Sequence, residues 1–192
     1  MKKRIAFICL VSTLFTIVSA QSIGLKAGIS VSNGSTNWPT HYNPGLFAGI
    51  SGDIPVSESV FLSSGLLFIK KGTKRDWSGT QVRIPVWYLE IPLNTIYKFD
   101  FGTWKLFANA GIYTGVGLSA KIKNGDETEK VEFGHNTGQY KKMDYGMNLG
   151  GGAEIDNVQV GLNYGFGFIN ISRFTAETIR NRVFTVSAVY SL

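Results

Sequence analysis

The stretch VQVGLNYGFGFIN, residues 158 to 170, sorts its side chains by parity. Val158, Val160, Leu162, Tyr164, Phe166 and Phe168 share one face, and Gln159, Gly161, Asn163, Gly165 and Gly167 share the other. Alternation with a period of two is the signature of a β-strand. The constraint lies in the contrast between the faces: one is uniformly bulky and apolar, the other small and polar. Whichever face lines the interior, the same choice must hold for every strand of this kind in the chain.

The pattern recurs in about eight segments and leaves almost no helical periodicity after the first twenty residues. Residues 22–32 set Ile23, Leu25, Ala27, Ile29 and Val31 against Ser22, Gly24, Lys26, Gly28 and Ser30. Residues 45–54 and 60–70 follow, and both faces of the latter are apolar, so its phase is open. In 86–99, Trp87, Leu89, Ile91, Leu93, Tyr97 and Phe99 oppose Glu90, Asn94 and Lys98. In 103–123 an apolar face that includes Leu118 and Ile122 opposes Gly117, Ser119 and Lys121. Residues 140–155, 158–170 and 181–192 complete the set.

Connections alternate in length. Ile54 to Ser59, Asp100 to Gly102 and Asp156-Asn157 are short; the last suits a tight hairpin turn. Asn33 to Pro44, Gly72 to Ile84, Asn124 to Gln139 and Ser172 to Arg180 are longer and polar. Short turns at one end and long loops at the other predict an all-β, eight-stranded antiparallel up-and-down transmembrane barrel. An even number of strands predicts both termini on the periplasmic side. The interior of an eight-stranded barrel is only wide enough for side chains to fill. It cannot take the bulky face of every strand, so the glycine-rich faces must point inward. The apolar belt left outside then needs lipid, at about 0.8 kcal/mol per buried methylene. A soluble, lipocalin-like carrier of apolar ligands is the competing architecture.

Lys2, Lys3 and Arg4 precede an apolar run, Ile5 to Val18, that ends Val18-Ser19-Ala20. This predicts a cleaved signal peptide over 1–20 and a barrel domain over 21–192. The run is shorter than the roughly 20 residues of a spanning helix. Cleavage would remove Cys9, the one cysteine, and with it disulfide and thiol chemistry. It would also take the basic residues from 19 to 16 against 13 acidic ones, so the net charge falls from +6 to +3. That is a weak case for nucleic-acid binding.

Lys26, Asp53, Glu90, Lys98, Asp144 and Glu154 fall on inward faces and form the expected polar network of the lumen, with Lys121 near its loop end. Buried charges must pair or stay hydrated. The network then reads as a salt-bridged plug or as a narrow conduit for ions or small solutes. Tyr97, Phe99 and Trp104 flank a short turn, while Tyr145, Phe166 and Phe168 lie toward the loop ends, as interfacial aromatics do. Lys70, Lys71, Lys74 and Arg75 form a basic cluster assigned to the second long loop, suited to lipopolysaccharide phosphates or an acidic partner. The third loop, NGDETEKVE, reads as a solvated acidic tip. Trp38 and Trp77 are candidate loop contacts for a partner. His41 and His135, the only histidines, sit in loops without a motif that would fix a catalytic triad or a metal site. No catalytic, cofactor or metal residue is assigned.

The motifs GLKAGISVSN (24–33), GLLFIKKG (65–72), YLEIPL (88–93), KKMDYGMNLGGGAEI (141–155) and NRVFTVSAVYSL (181–192) resemble the PorT-like family of outer-membrane β-barrel proteins of Gram-negative bacteria. The resemblance covers the chain after the leader and implies an eight-stranded barrel, inserted by the barrel assembly machinery. The family's founding type is linked to secretion and surface display of other proteins, which implies an envelope or secretion protein as partner. The chain departs from such barrels in ending Val189-Tyr190-Ser191-Leu192 rather than on an aromatic residue. The expectation is a non-enzymatic outer-membrane barrel that acts through its loops or within an envelope assembly.

Overall fold

The computed structural model describes residues 22–36, 39–77, 80–125, 127–137, 139–174 and 178–192, with the side chain of Trp77 excepted. The leader and Trp38 lie outside the described residues. The elements are β1 (Ser22–Ser35), β2 (Asn43–Pro55), β3 (Val60–Trp77), β4 (Thr80–Asp100), β5 (Lys105–Asn124), β6 (Glu127–Val131), β7 (Met143–Ile155), β8 (Val158–Gly167) and β9 (Arg180–Ser191). Each strand other than β6 pairs antiparallel with its chain neighbour, β5 pairs with β7, and β9 returns to β1. Eight strands thus close into a ring. Closure leaves the eight-stranded ring without a free edge, which is the condition for a sheet in lipid.

The faces divide as the volume argument requires. Ile23, Leu25 and Ile29 of β1 are exposed on the outside, as are Val158, Val160, Leu162 and Tyr164 of β8. Gly28 faces inward, where a side chain would meet the carbonyl oxygen of Val186 and the ring of Phe47. The turns are tight: Asp156 takes φ 50° and Gly102 takes φ 88°. The Gly102 amide donates to Asp100 Oδ1 at 2.7 Å.

Three features depart from the sequence reading. First, Gly72 to Ile84 is mostly strand rather than loop: β3 and β4 stay paired up to Trp77 opposite Thr80. At 21 residues, β4 is about twice the 9–11 residues that cross a bilayer, so this side of the wall stands above the rest. Second, part of the acidic third loop forms β6, which pairs with the outer end of β5 from Ala120↔Val131 to Asn124↔Glu127. Third, a bulge shifts the β4–β5 register between Trp87 and Tyr88, so that Leu118 is the extra residue on β5. Beyond it the parity of β5 reverses: Ala120 is buried and Ile122 packs on the core, while Lys121 turns outward. Bulges re-aim side chains in this way.

The inside of the long-connection end is apolar. Ile84, Val86 and Tyr88 of β4 pack there against Tyr140, Ile171 and Ile179 from the connections. The Tyr140 amide donates to Glu132 O at 3.0 Å, Lys141 N to Ile171 O at 2.8 Å and Ile171 N to Ile179 O at 2.9 Å. These bonds fold the third and fourth connections over the mouth as a cap.

Replacing Gly28 by valine should destabilise the barrel by about 1–3 kcal/mol through overpacking. Gly52, where the nearest atom to an added Cβ is Ser22 O at 3.6 Å, should accept alanine within about 0.5 kcal/mol. Urea unfolding in lipid vesicles checks both.

Candidate functional site

Below the cap, the lumen holds two charge clusters. The outer one centres on Lys71, from the strand whose phase was open. Its ammonium lies 2.5 Å from Glu90 Oε2 and 3.1 Å from Asp144 Oδ2. Asp144 Oδ2 also accepts from Asn181 Nδ2 at 2.9 Å and from the Tyr113 hydroxyl at 3.3 Å. The ammonium sits over the Tyr113 ring, 4.0 Å from its centroid. Lys71, Glu90 and Asp144 are all buried. Lys71 does not join the basic loop cluster that its sequence neighbours suggest; it is the hub of the interior. Sequence gave little sign of this, because Leu67 and Ile69 beside it are as apolar as Leu66 and Phe68 on the outer face.

The second cluster lies beside the short turns. Lys98 Nζ is 2.6 Å from Glu154 Oε2 and 3.8 Å from Asp53 Oδ2. Gln159 Nε2 donates to Glu154 Oε2 at 2.9 Å and to Asp53 Oδ2 at 3.4 Å. Lys105 joins at 3.7 Å from Glu154 Oε1, closer to solvent. Lys98 also lies over the ring of Phe61, 4.4 Å from its centroid. The six charged residues assigned to the lumen all come to its interior. The structure joins Asp53, Lys98 and Glu154 in one cluster and Glu90 with Asp144 in the other.

Lys26 stands between them and makes no hydrogen bond or ion pair among the described residues. It lines two cavities of about 40 and 50 Å³, along with Asn94 and Asn163. Asn163 Oδ1 accepts from Asn109 Nδ2 at 2.8 Å across this middle level. Each cavity has room for only a few waters at roughly 10–15 Å³ each, far below the roughly 300 Å³ of a small-ligand site. Lys26, Lys71, Lys98 and Lys105 balance Asp53, Glu90, Asp144 and Glu154, so these groups leave no net charge. Neutral in sum, paired except at Lys26, and packed, this interior is suited to filling space.

The aromatic residues sit on the outer surface at two levels. Tyr97 and Phe99 are in tilted contact at 4.7 Å beside the β4–β5 turn, where Trp104 stacks on Phe101 at 4.8 Å. At the other level, Phe168 N bonds Tyr145 O at 2.8 Å, and the ring of Phe166 lies 5.2 Å from the Arg182 guanidinium. In the exposed loop region, His41 Nε2 is 3.1 Å from Asp76 Oδ2. No serine bonds either residue among the described ones, and no group of three or more His, Cys, Asp or Glu could hold a metal there. Lys121, expected inward, faces out because of the bulge. Of the two candidate loop tryptophans, Trp38 is outside the described residues, and only the backbone of Trp77 is described, at the tip of β3.

A family model described as "Outer membrane protein beta-barrel domain" matches residues 19–173. No curated protein matches the sequence. Among solved structures, Neisserial surface protein A is 14% identical with a TM-score of 0.53, over 91% of this chain and 100% of that one. OprG from Pseudomonas aeruginosa is 6% identical with a TM-score of 0.53, over 90% and 96%. The attachment invasion locus protein Ail of Yersinia pestis is 12% identical with a TM-score of 0.48, over 90% and 99%. At such identities the first two likenesses speak for the fold alone.

Lys71→Met should cost about 3–5 kcal/mol, because it strands two buried carboxylates. Lys105→Met, at the solvent edge, should cost less than about 1 kcal/mol. Urea midpoints in vesicles should separate the two clearly; equal, small losses would show that Lys71 is not the hub.

Proposed function

The chain belongs to the outer membrane protein beta-barrel domain family, and from that premise we propose a closed, non-enzymatic barrel of a Gram-negative outer membrane that works through its outer surface and loops. The observation that carries this reading is the filled lumen. Two salt-bridged clusters, the bond between Asn109 and Asn163, and the apolar cap occupy it in succession. A conduit would keep a hydrated path of mobile charge, whereas here seven of the eight charged groups named above are held in ion pairs. An enzyme would need a nucleophile beside an activating base.

In this reading the short turns and both termini are periplasmic and the long connections are external. The elevated β3–β4 hairpin with Trp77 near its tip, and the cap around Tyr140, are then what a neighbour meets. The resemblance of the strand motifs to PorT-like barrels supports a role beside an envelope or secretion assembly. The assembly machinery would insert the chain through its final strand.

Folded protein in planar bilayers is expected to give no steady single-channel current. Stable conductance steps from correctly folded barrel would replace the closed reading with the conduit. In-cell crosslinking followed by purification is expected to recover the same envelope proteins repeatedly, less so after Trp38→Ala or Trp77→Ala. Recovery of the barrel alone with several crosslinker lengths would rule out the assembly role.

A further inference from the structure

The outer wall carries a second charged site, separate from the lumen. Arg83 of β4 pairs directly with Lys123 of β5, and Lys121 is two residues away on the same face. Lys70 of β3 stands opposite Trp87 of β4. The four cations, with Trp87 and Pro85, line an outward cleft of about 310 Å³. None of the four is in an ion pair among the described residues. Arg83 spends its donors on Gln81 Oε1 at 3.0 and 3.3 Å, and Lys70 donates to Pro44 O at 3.1 Å. Like charges placed directly opposite each other destabilise a sheet. The bulge at Trp87 is what creates the crowding, since without it Lys121 and Lys123 would point inward.

The height of the cleft indicates what it holds. Trp87 is ten residues along β4 from Tyr97, which matches the 9–11 residues of a membrane-crossing strand. Trp87 stacks on Phe68 at 4.5 Å and so ends the apolar belt. Lys70 lies level with Trp87 and Arg83 four residues beyond it, which spans headgroup level. Below the cleft, Phe68, Leu118 and Ile91 are exposed. The occupant must therefore be anionic above and acylated below. Multiple cations with fork-shaped and point-like donors suit phosphate groups. We propose that this cleft binds the phosphorylated headgroup of an outer-leaflet glycolipid, with its acyl chains on the Phe68–Leu118 surface.

The proposal rests on the long connections being external, and the test separates the two. Barrel extracted in non-ionic detergent is mixed with diphosphorylated lipid A, with its dephosphorylated form, or with inorganic pyrophosphate, and is examined by native mass spectrometry. The intact barrel should retain one diphosphorylated lipid A. The K70Q/R83Q/K121Q/K123Q barrel should retain about tenfold less or lower, and a K141Q/K142Q barrel as much as the unmodified one. If the fourfold variant does not fold, K121Q/K123Q alone should still weaken retention. Equal binding of the dephosphorylated lipid, or undiminished retention by the variants, would overturn the site. Tight pyrophosphate binding that strips the lipid would overturn the lipid as its source. Separately, Tyr42→Cys is labelled on intact cells with an impermeant maleimide, with the unmodified protein as blank. Labelling with no lipid retention overturns the cleft alone. An unlabelled position with retention intact overturns the orientation, and with it the outer leaflet as the source.

Discussion

Twelve paired positions join β1 to β9, from Gly24↔Ser191 to Ser35↔Arg180, and the rest of the molecule depends on that seam. Without it the sheet would have two free edges, and each unpaired amide or carbonyl in hydrocarbon costs several kcal/mol. With it the radius is fixed at that of eight strands, and the interior volume follows. The inward glycines are a consequence. Beside Gly28 the ring of Phe47 occupies the space that a side chain would need. Bulky residues are then forced outward, so a soluble version of this ring would expose its whole apolar belt to water.

The fixed interior also explains the charges. In a narrow lumen with little water an unpaired carboxylate is costly, and each of the four carboxylates has a lysine partner. Lys71 bridges two carboxylates at the outer level, and Lys98 bridges two beside the turns. Lys26 lies between the clusters, next to cavities large enough for water. Buried ion pairs are weak evidence for net stability. Here their contribution is to fill the ring while matching all four carboxylates, with Lys26 alone left against the small cavities and the apolar cap closing one end.

Most of the barrel was legible because parity contrast is strong where one face meets lipid and the other meets glycine and polar groups. Strands β1, β4, β7 and β8 carry that contrast along most of their length, and their inward residues could be named in advance. The contrast fails wherever the inside is also apolar. On β3, Leu67 and Ile69 line the lumen beside Lys71 while Leu66 and Phe68 are exposed outside, so parity has nothing to distinguish and Lys71 reads from sequence as part of a loop. On β5 the pattern is clear but is interrupted: one extra residue at Leu118 exchanges the faces, and no local signal separates Lys121 inward from Lys121 outward. The paired extension of β3 and β4 hides behind polar residues for a related reason. Thr73 to Asp76 of β3 are polar on both faces, and on β4 the alternation is carried only by Val82 and Ile84, buried against the cap, between Gln81 and Arg83.

The same bulge links the two charged sites of the molecule. If β5 kept its parity past Gly117, Lys121 and Lys123 would enter the lumen just above Lys71. They would place two more cations in a space whose carboxylates are already matched, and they would displace Ala120 and Ile122 from the cap. The register shift sends the apolar pair inward to the cap and the cations outward to headgroup level. One irregularity in the ladder therefore supports both the closed interior and the cationic outer surface. The surface that remains to meet an anion is the one that the lumen could not accommodate.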